Sequence, residues 1–174
     1  TITGSGKNGA IVHYRATKNN TKPLKKNEIL LCDSGGQYKF GTTDVTRTIC
    51  FSNPKKYIKN IYTNVLKGHI AVAHADLNKK KTGKLIDIEA RKFLKKKNMD
   101  YAHGTGHGVG YFLNVHEGPQ AISRNNEVKI QNGMILSNEP GYYKKNKFGI
   151  RIENLVYANK IQGKLFFKNL TLAP

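Results

Sequence analysis

Apolar residues recur at steps of three and four twice near the middle of the chain, and they gather in short dense runs on either side. Tyr57, Ile58, Ile61, Tyr62, Val65, Leu66, Ile70 and Ala73 share one helical face, which predicts a helix over residues 54–78. Ser52 or Asn53 is the expected cap, with Pro54 in the first turn. A second helix is predicted over 84–97, with Leu85, Ile88, Phe93 and Leu94 inward and Lys95 to Lys97 at the negative end of its dipole. The flanking runs 10–14, 28–33, 44–51, 134–138, 148–158 and 165–172, separated by Gly, Asn and Pro, read as strands. Strands, two helices and strands again predict an α+β domain, with helices on one face of a mostly antiparallel sheet.

A chain of 174 residues is long enough for one domain with a real core. No apolar stretch approaches the roughly 18 residues that a membrane span needs, and the first ten residues lack the pattern of a secretion signal. Cys32 and Cys50 lie in apolar runs without CxxC spacing, so buried reduced thiols and a cytoplasmic setting are expected, a vacuolar pool being compatible with both. Lys and Arg number 30 against 11 Asp and Glu, a net charge of +19 that raises the question of a nucleic-acid partner. Only five of the 30 are Arg, and the Lys form clusters of the kind found on solvated surfaces, so neither a nucleic-acid nor a membrane partner is expected. With so few acids in the chain, those in a chemically sensible arrangement stand out.

Asp33 closes the run 28–33, the loop SGGQYKFG turns the chain, and Asp44 opens the returning run. Antiparallel pairing would bring the two carboxylates together, and like charges at that distance call for a cation between them. Acids beside glycines also serve as plain turn residues, so this pair alone leaves both readings open. Glu139 follows ILSN, and Glu153 lies in an otherwise apolar run where a carboxylate needs a partner. Arg151, two residues away on the same strand face, either pairs with Glu153 or joins it in a polar cluster. His103, His107 and His116 fall within 14 residues, and the glycines of HGTGHGVG favour close backbone approach to a ligand over a helical HxxxH pair. His69 and His74 fall in the first helix and read as surface or packing residues. His13, in an apolar run, reads by itself as a core histidine.

Together GAIVHYRAT, LCDSGGQYKFGTTDVTRT, HGTGHGVGYFLNVHEGP, ILSNEPGYY and FGIRIEN resemble the pita-bread metallopeptidases over nearly the whole chain. Within that family they are most similar to the eukaryotic-type aminopeptidase P group. The resemblance implies a pita-bread fold, two divalent metal ions, and hydrolysis of the bond between an N-terminal residue and a following proline. It puts the metal ligands on Asp33, Asp44, His107, Glu139 and Glu153. Substrate-site histidines fall on His13, His103 and His116 beside His107, and supporting hydrogen bonds on Arg151 and Tyr143. The expected catalytic residues are Glu139, which carries a proton to the tertiary proline nitrogen, and His116 and His103, which contact the substrate.

Four carboxylates and one imidazole form a hard, oxygen-rich set, suiting manganese better than the Cys/His sites typical of structural zinc. The nine-residue step from His107 to His116 is similar to aminopeptidase P, and an X-Pro dipeptidase is the nearest alternative. An inactive binding module with a Lys-rich nucleic-acid face is the alternative from another class, and the complete ligand set speaks against it. Relatives of this kind have upstream domains, helices before the segment holding His13, and a closing helix. Residues 1–174 are therefore expected to be a catalytic-domain fragment incomplete at both ends, from a full-length protein that is a homodimer binding peptides with proline second.

Overall fold

The computed structural model describes residues 1–112 and 114–174; Leu113, within the HGTGHGVGYFLNVHEGP stretch, lies outside the described residues. The chain begins with β1 (Ile2–Ser5), a 3-10 turn (Gly6–Ala10), β2 (Ile29–Ser34), the small hairpin β3 (Gln37–Tyr38) and β4 (Gly41–Thr42), and β5 (Val45–Cys50). Two helices follow, α1 (Lys56–Ala73) and α2 (Gly83–Lys95). The second half holds β6 (Gly106–His107), β7 (Ala121–Ile122), β8 (Ile135–Asn138), β9 (Gly141–Lys144), β10 (Phe148–Arg151), β11 (Asn154–Ile161) and β12 (Lys164–Asn169). Strands order as β1-β2-β5 and as β12-β11-β8, with β9-β10 and β6-β7 as separate pairs, all antiparallel.

One apolar cluster gathers Ile61, Val65 and Leu94 of the helices under Ile29 and Ile150; the other gathers Val72, Ile86 and Ala90 under Leu136, Val156 and Phe167. α1 thus spans both halves of the sheet, and truncating a buried Leu or Ile of these clusters to Ala typically costs about 2–5 kcal/mol. The helices cross closely at Gly68, where a Cβ would stand 2.3 Å from the Ala90 carbonyl oxygen. Among the described residues, no helix is long and apolar enough to cross a membrane.

Several expected boundaries shift for identifiable reasons. Residues 10–14 form no strand: the 3-10 turn ends at Ala10, and Tyr14 is buried with its hydroxyl against Asn8 and Asn20. The first strand is instead Ile2–Ser5, paired with β2 from Ile2↔Asp33 to Ser5↔Leu30, in a stretch too polar to signal one. Helix α1 starts after Lys55, not at Ser52 or Asn53, and stops before residue 78. There the Asp76 carboxylate accepts the Asn78 N–H at 3.0 Å, and this local bond competes with helical pairing. The run 148–158 is two strands, because at Ile152 and Glu153 the backbone N–H groups turn to Pro140 and Thr46. Cys32 and Cys50 are free thiols but only half-buried, Cys32 packing its sulfur 3.7 Å from the Thr3 hydroxyl.

Candidate metal centre

The two halves of the sheet meet through side chains. Thr48 of β5 donates its hydroxyl to the Arg151 carbonyl and accepts the Arg151 N–H, at 2.9 and 3.0 Å. One step along, Glu153 sends its N–H to the Thr46 carbonyl. Acids of the first half therefore face acids of the second. Asp33, opposite Thr46 in the β2–β5 register, and Asp44, just ahead of β5, come from the first hairpin. Glu139 follows β8, and Glu153 sits between β10 and β11.

The HGTGH loop lies against β8 because Gly106 carries no side chain; a Cβ there would meet the Ser137 carbonyl oxygen at 1.9 Å. His107 N–H reaches Ser137 Oγ at 2.9 Å, and that hydroxyl donates in turn to Glu139 Oε1 at 3.0 Å. His107 Nδ1 donates to the Gly108 carbonyl at 3.0 Å, which fixes the tautomer. Its Nε2 then points at Asp44 Oδ2, 3.5 Å away, and at Glu139 Oε1, 3.3 Å away.

Ligand atoms of Asp33, Asp44 and Glu153 lie within 4.8 Å of one another, and so do those of His107, Glu139 and Glu153. Glu153 belongs to both groups. A third group of Asp44, His107 and His116 adjoins them, the two imidazole centroids being 4.1 Å apart. All five expected ligands are thus together, and they fit two adjacent divalent ions. A neutral imidazole lone pair facing two carboxylate oxygens is repulsive unless a cation or proton lies between them.

Electrostatics carry the same message. Burial raises Glu139 to about 7 and Glu153 well above the usual carboxylate range, and the neighbouring acids push Glu153 further. Burial and the Asp44 charge outweigh the Arg151 guanidinium and raise Asp33. Burial lowers His107, but the hydrogen bond that its protonated ring gives to Asp44 and the Glu139 charge outweigh burial and raise the imidazole. Packed acids of this kind hold their charge only with cations among them.

Arg151, 1% exposed, organises the surroundings. Its Nη2 donates to Asp33 Oδ2 at 2.6 Å, Nη1 to the Tyr143 hydroxyl at 2.8 Å, and Nε to Thr46 Oγ1 at 3.1 Å. It reaches Glu153 only through Thr46, so the direct pair left open by the sequence does not form. His103 donates from Nδ1 to the Gly104 carbonyl at 2.7 Å, so Nε2 accepts from the Tyr143 hydroxyl at 2.9 Å. Both ring nitrogens are engaged within the protein, and burial lowers this imidazole to about 4.

His13 and His116 are exposed at the mouth of the site. The five expected ligands line a cavity of about 260 Å³, and His13, Asp33, Asp44 and His116 are shared with a neighbouring cavity of about 360 Å³. A larger groove of about 600 Å³ between Ile70 and Phe93 lies on the helical face, where His74, Asp76 and Glu89 form no metal-holding group among the described residues. His69 is buried outside the cavity, its Nδ1 donating to the Asn138 carbonyl at 3.0 Å. Thr46 and Ser137, which hydrogen-bond to the expected ligands, were missed by sequence reasoning. Their only signal was a hydroxyl at an inward-facing strand position.

The model of Metallopeptidase family M24 matches residues 1–160. A probable Xaa-Pro aminopeptidase P of Laccaria bicolor is 48% identical over 185 residues, covering 100% of this chain and 29% of that protein. Aminopeptidase P2 of Arabidopsis thaliana is 48% identical, covering 100% and 26%. The chain thus spans under a third of the length of these relatives. Among solved structures, the X-prolyl aminopeptidase of Caenorhabditis elegans, described as a cytosolic enzyme with a di-nuclear active site, superposes with a TM-score of 0.90 at 41% identity, covering 99% of this chain and 29% of that one. The prolidase of Pyrococcus furiosus superposes at 0.87 with 31% identity, covering 100% and 49%. The antiparallel sheet with helices on one face is the pita-bread fold, and the chain belongs to Metallopeptidase family M24.

Proposed function

We propose that the protein containing this chain is an X-Pro aminopeptidase, removing the N-terminal residue from peptides with proline second. The observation that carries the reading is the pair of ligand groups sharing Glu153. Asp33, Asp44 and Glu153 would hold one divalent ion, and His107, Glu139 and Glu153 the other, with manganese favoured by the hard donor set. Such ions polarise the scissile carbonyl and make a water acidic enough to ionise near neutral pH.

The chain's own groups do the rest. Glu139 moves a proton to the proline nitrogen, which is tertiary and must be protonated before it leaves. His116, exposed beside His107, stabilises the developing oxyanion, and His13 orients the peptide from the shared wall of the two cavities. His103 helps position the substrate from the wall of the smaller cavity. Arg151 and Tyr143 hold Asp33 and His103 in place.

An X-Pro dipeptidase is the second reading, supported by the likeness to the Pyrococcus furiosus prolidase. The greater identity to the Caenorhabditis elegans enzyme, 41% against 31%, and the nine-residue step from His107 to His116 favour the aminopeptidase. The same reading takes the full-length protein as a cytosolic homodimer without nucleic-acid or membrane partners.

The test is full-length protein with manganese on an X-Pro-Y tripeptide and an X-Pro dipeptide, with Glu139→Ala as control. Tripeptide hydrolysis lost in the control is expected. Dipeptide hydrolysis alone would replace the reading by the second one, and no hydrolysis would overturn both.

A further inference from the structure

A second polar cluster lies buried outside the cavity. Arg91 and Asp87 sit one turn apart on α2, each with a side chain 2% exposed. Burying such a pair costs desolvation that mutual attraction often fails to repay, so its other partners bear on its role. Arg91 donates from Nη1 to Asp100 Oδ1 and to the Tyr101 carbonyl, and from Nη2 to the His103 carbonyl, each at 2.7 Å. Thr105, fully buried, donates its hydroxyl to Asp87 Oδ1 and accepts from the Tyr101 hydroxyl. The Thr105 carbonyl then accepts the Glu139 N–H at 2.7 Å. Two residues on, His107 shares the Ser137 hydroxyl with Glu139.

We propose that Asp87, Arg91 and Thr105 form a positioning relay through which α2 sets the placement of His107 and Glu139, so that metal affinity depends on a helix that does not line the metal cavity. This rests on the two-metal reading. Thr105 is the joint, because α2 holds its side chain while its carbonyl holds Glu139. Exchanging its hydroxyl for a methyl group releases the tether and leaves the Arg91–Asp87 charges balanced.

The test uses full-length protein, with Mn²⁺ titrated against loss of the free-ion electron paramagnetic resonance signal and folding checked by circular dichroism. Thr105→Val should raise the Kd for Mn²⁺ by about 10- to 100-fold, while Thr105→Ser, which keeps the hydroxyl, stays within about threefold. Arg91→Lys keeps the charge but lacks the planar fork, and it should weaken binding by a similar factor. It decides the matter alone if Thr105→Val does not fold. If the unaltered protein binds no Mn²⁺, the two-metal reading fails and the relay with it. If it binds Mn²⁺ and the folded variants bind within about threefold of it, the relay alone is overturned. Loss of folding in both variants would mark a structural brace and overturn it equally.

Discussion

The Thr46 hydroxyl donates to Glu153 Oε2 at 2.6 Å while the Thr46 carbonyl accepts the Glu153 N–H at 3.1 Å, so one β5 residue holds a carboxylate of the opposite half from both ends. The same hydroxyl accepts from Arg151, whose guanidinium also grips Asp33. Proposed ligands from both hairpins are thereby set by one hydroxyl and one guanidinium.

Thr46→Val keeps the shape and removes the donor. Its Kd for Mn²⁺ in calorimetry should rise about 10-fold or more, the usual cost of losing such a support, with Thr46→Ser close to the unaltered protein. Equal affinity in Thr46→Val would show that Glu153 orients itself.

Arg151→Lys retains a charge but cannot fork between Asp33, Tyr143 and Thr46. A fall in kcat/KM of about 10- to 100-fold is expected. Tyr143→Phe should fall less, since it frees only His103 and one guanidinium branch. Steady-state kinetics on an X-Pro-Y peptide decides the order, and a larger loss in Tyr143→Phe would contradict this account.

His69 is held neutral, burial lowering it from 6.5 to about 4. As pH falls, the unfolded chain takes the proton first, so the stability tied to neutral His69 is complete above 6.5 and is lost as pH drops through about 4. His69→Asn keeps a donor for the Asn138 carbonyl and does not titrate. In urea unfolding without metal, the unaltered protein should lose up to roughly 3 kcal/mol more than His69→Asn between pH 7.5 and 4. Parallel losses would remove His69 as the cause.

Chelation of divalent ions should abolish peptide hydrolysis and lower the melting temperature, with both restored by manganese. An ion present at about 100 times its Kd stabilises the folded state by ~2.7 kcal/mol, so a shift of several degrees is expected in a thermal scan. A scan unmoved by manganese would argue against ions at this site.

Gly106→Ala places a Cβ 1.9 Å from the Ser137 carbonyl oxygen, a backbone atom that cannot swing aside. Destabilisation of about 1–3 kcal/mol and weaker metal binding should appear together, because the HGTGH loop must lift from β8. Stability loss with unchanged Mn²⁺ affinity would separate the loop from the site.

Much of the architecture was legible because periodicity reports on near neighbours. Ile61, Val65 and Leu94 follow helical spacing and are buried, and α1 and α2 lie close to where the pattern put them, but Leu85 and Ile88, expected inward, are exposed. Ile2–Ser5 was invisible because Gly4 and Ser5 give no alternation, and its pairing with β2 depends on residues 25 to 31 positions away. The break at Ile152 and Glu153 was hidden for the same reason, since partners on Pro140 and Thr46 end the strand there.

The chain's motifs alone pointed to the five proposed ligands, their placement on two hairpins and one glycine-rich loop, and the hard, acidic character of the candidate centre. Only the tertiary structure decided that Glu153 is shared by two groups, that Arg151 grips Asp33 and reaches Glu153 through Thr46, and that Thr105 ties α2 to Glu139. The physical reason is range. Residue type and local spacing are properties of the chain, but a hydrogen bond from Thr46 to Glu153 joins residues 107 positions apart and exists only once the two halves of the sheet have met.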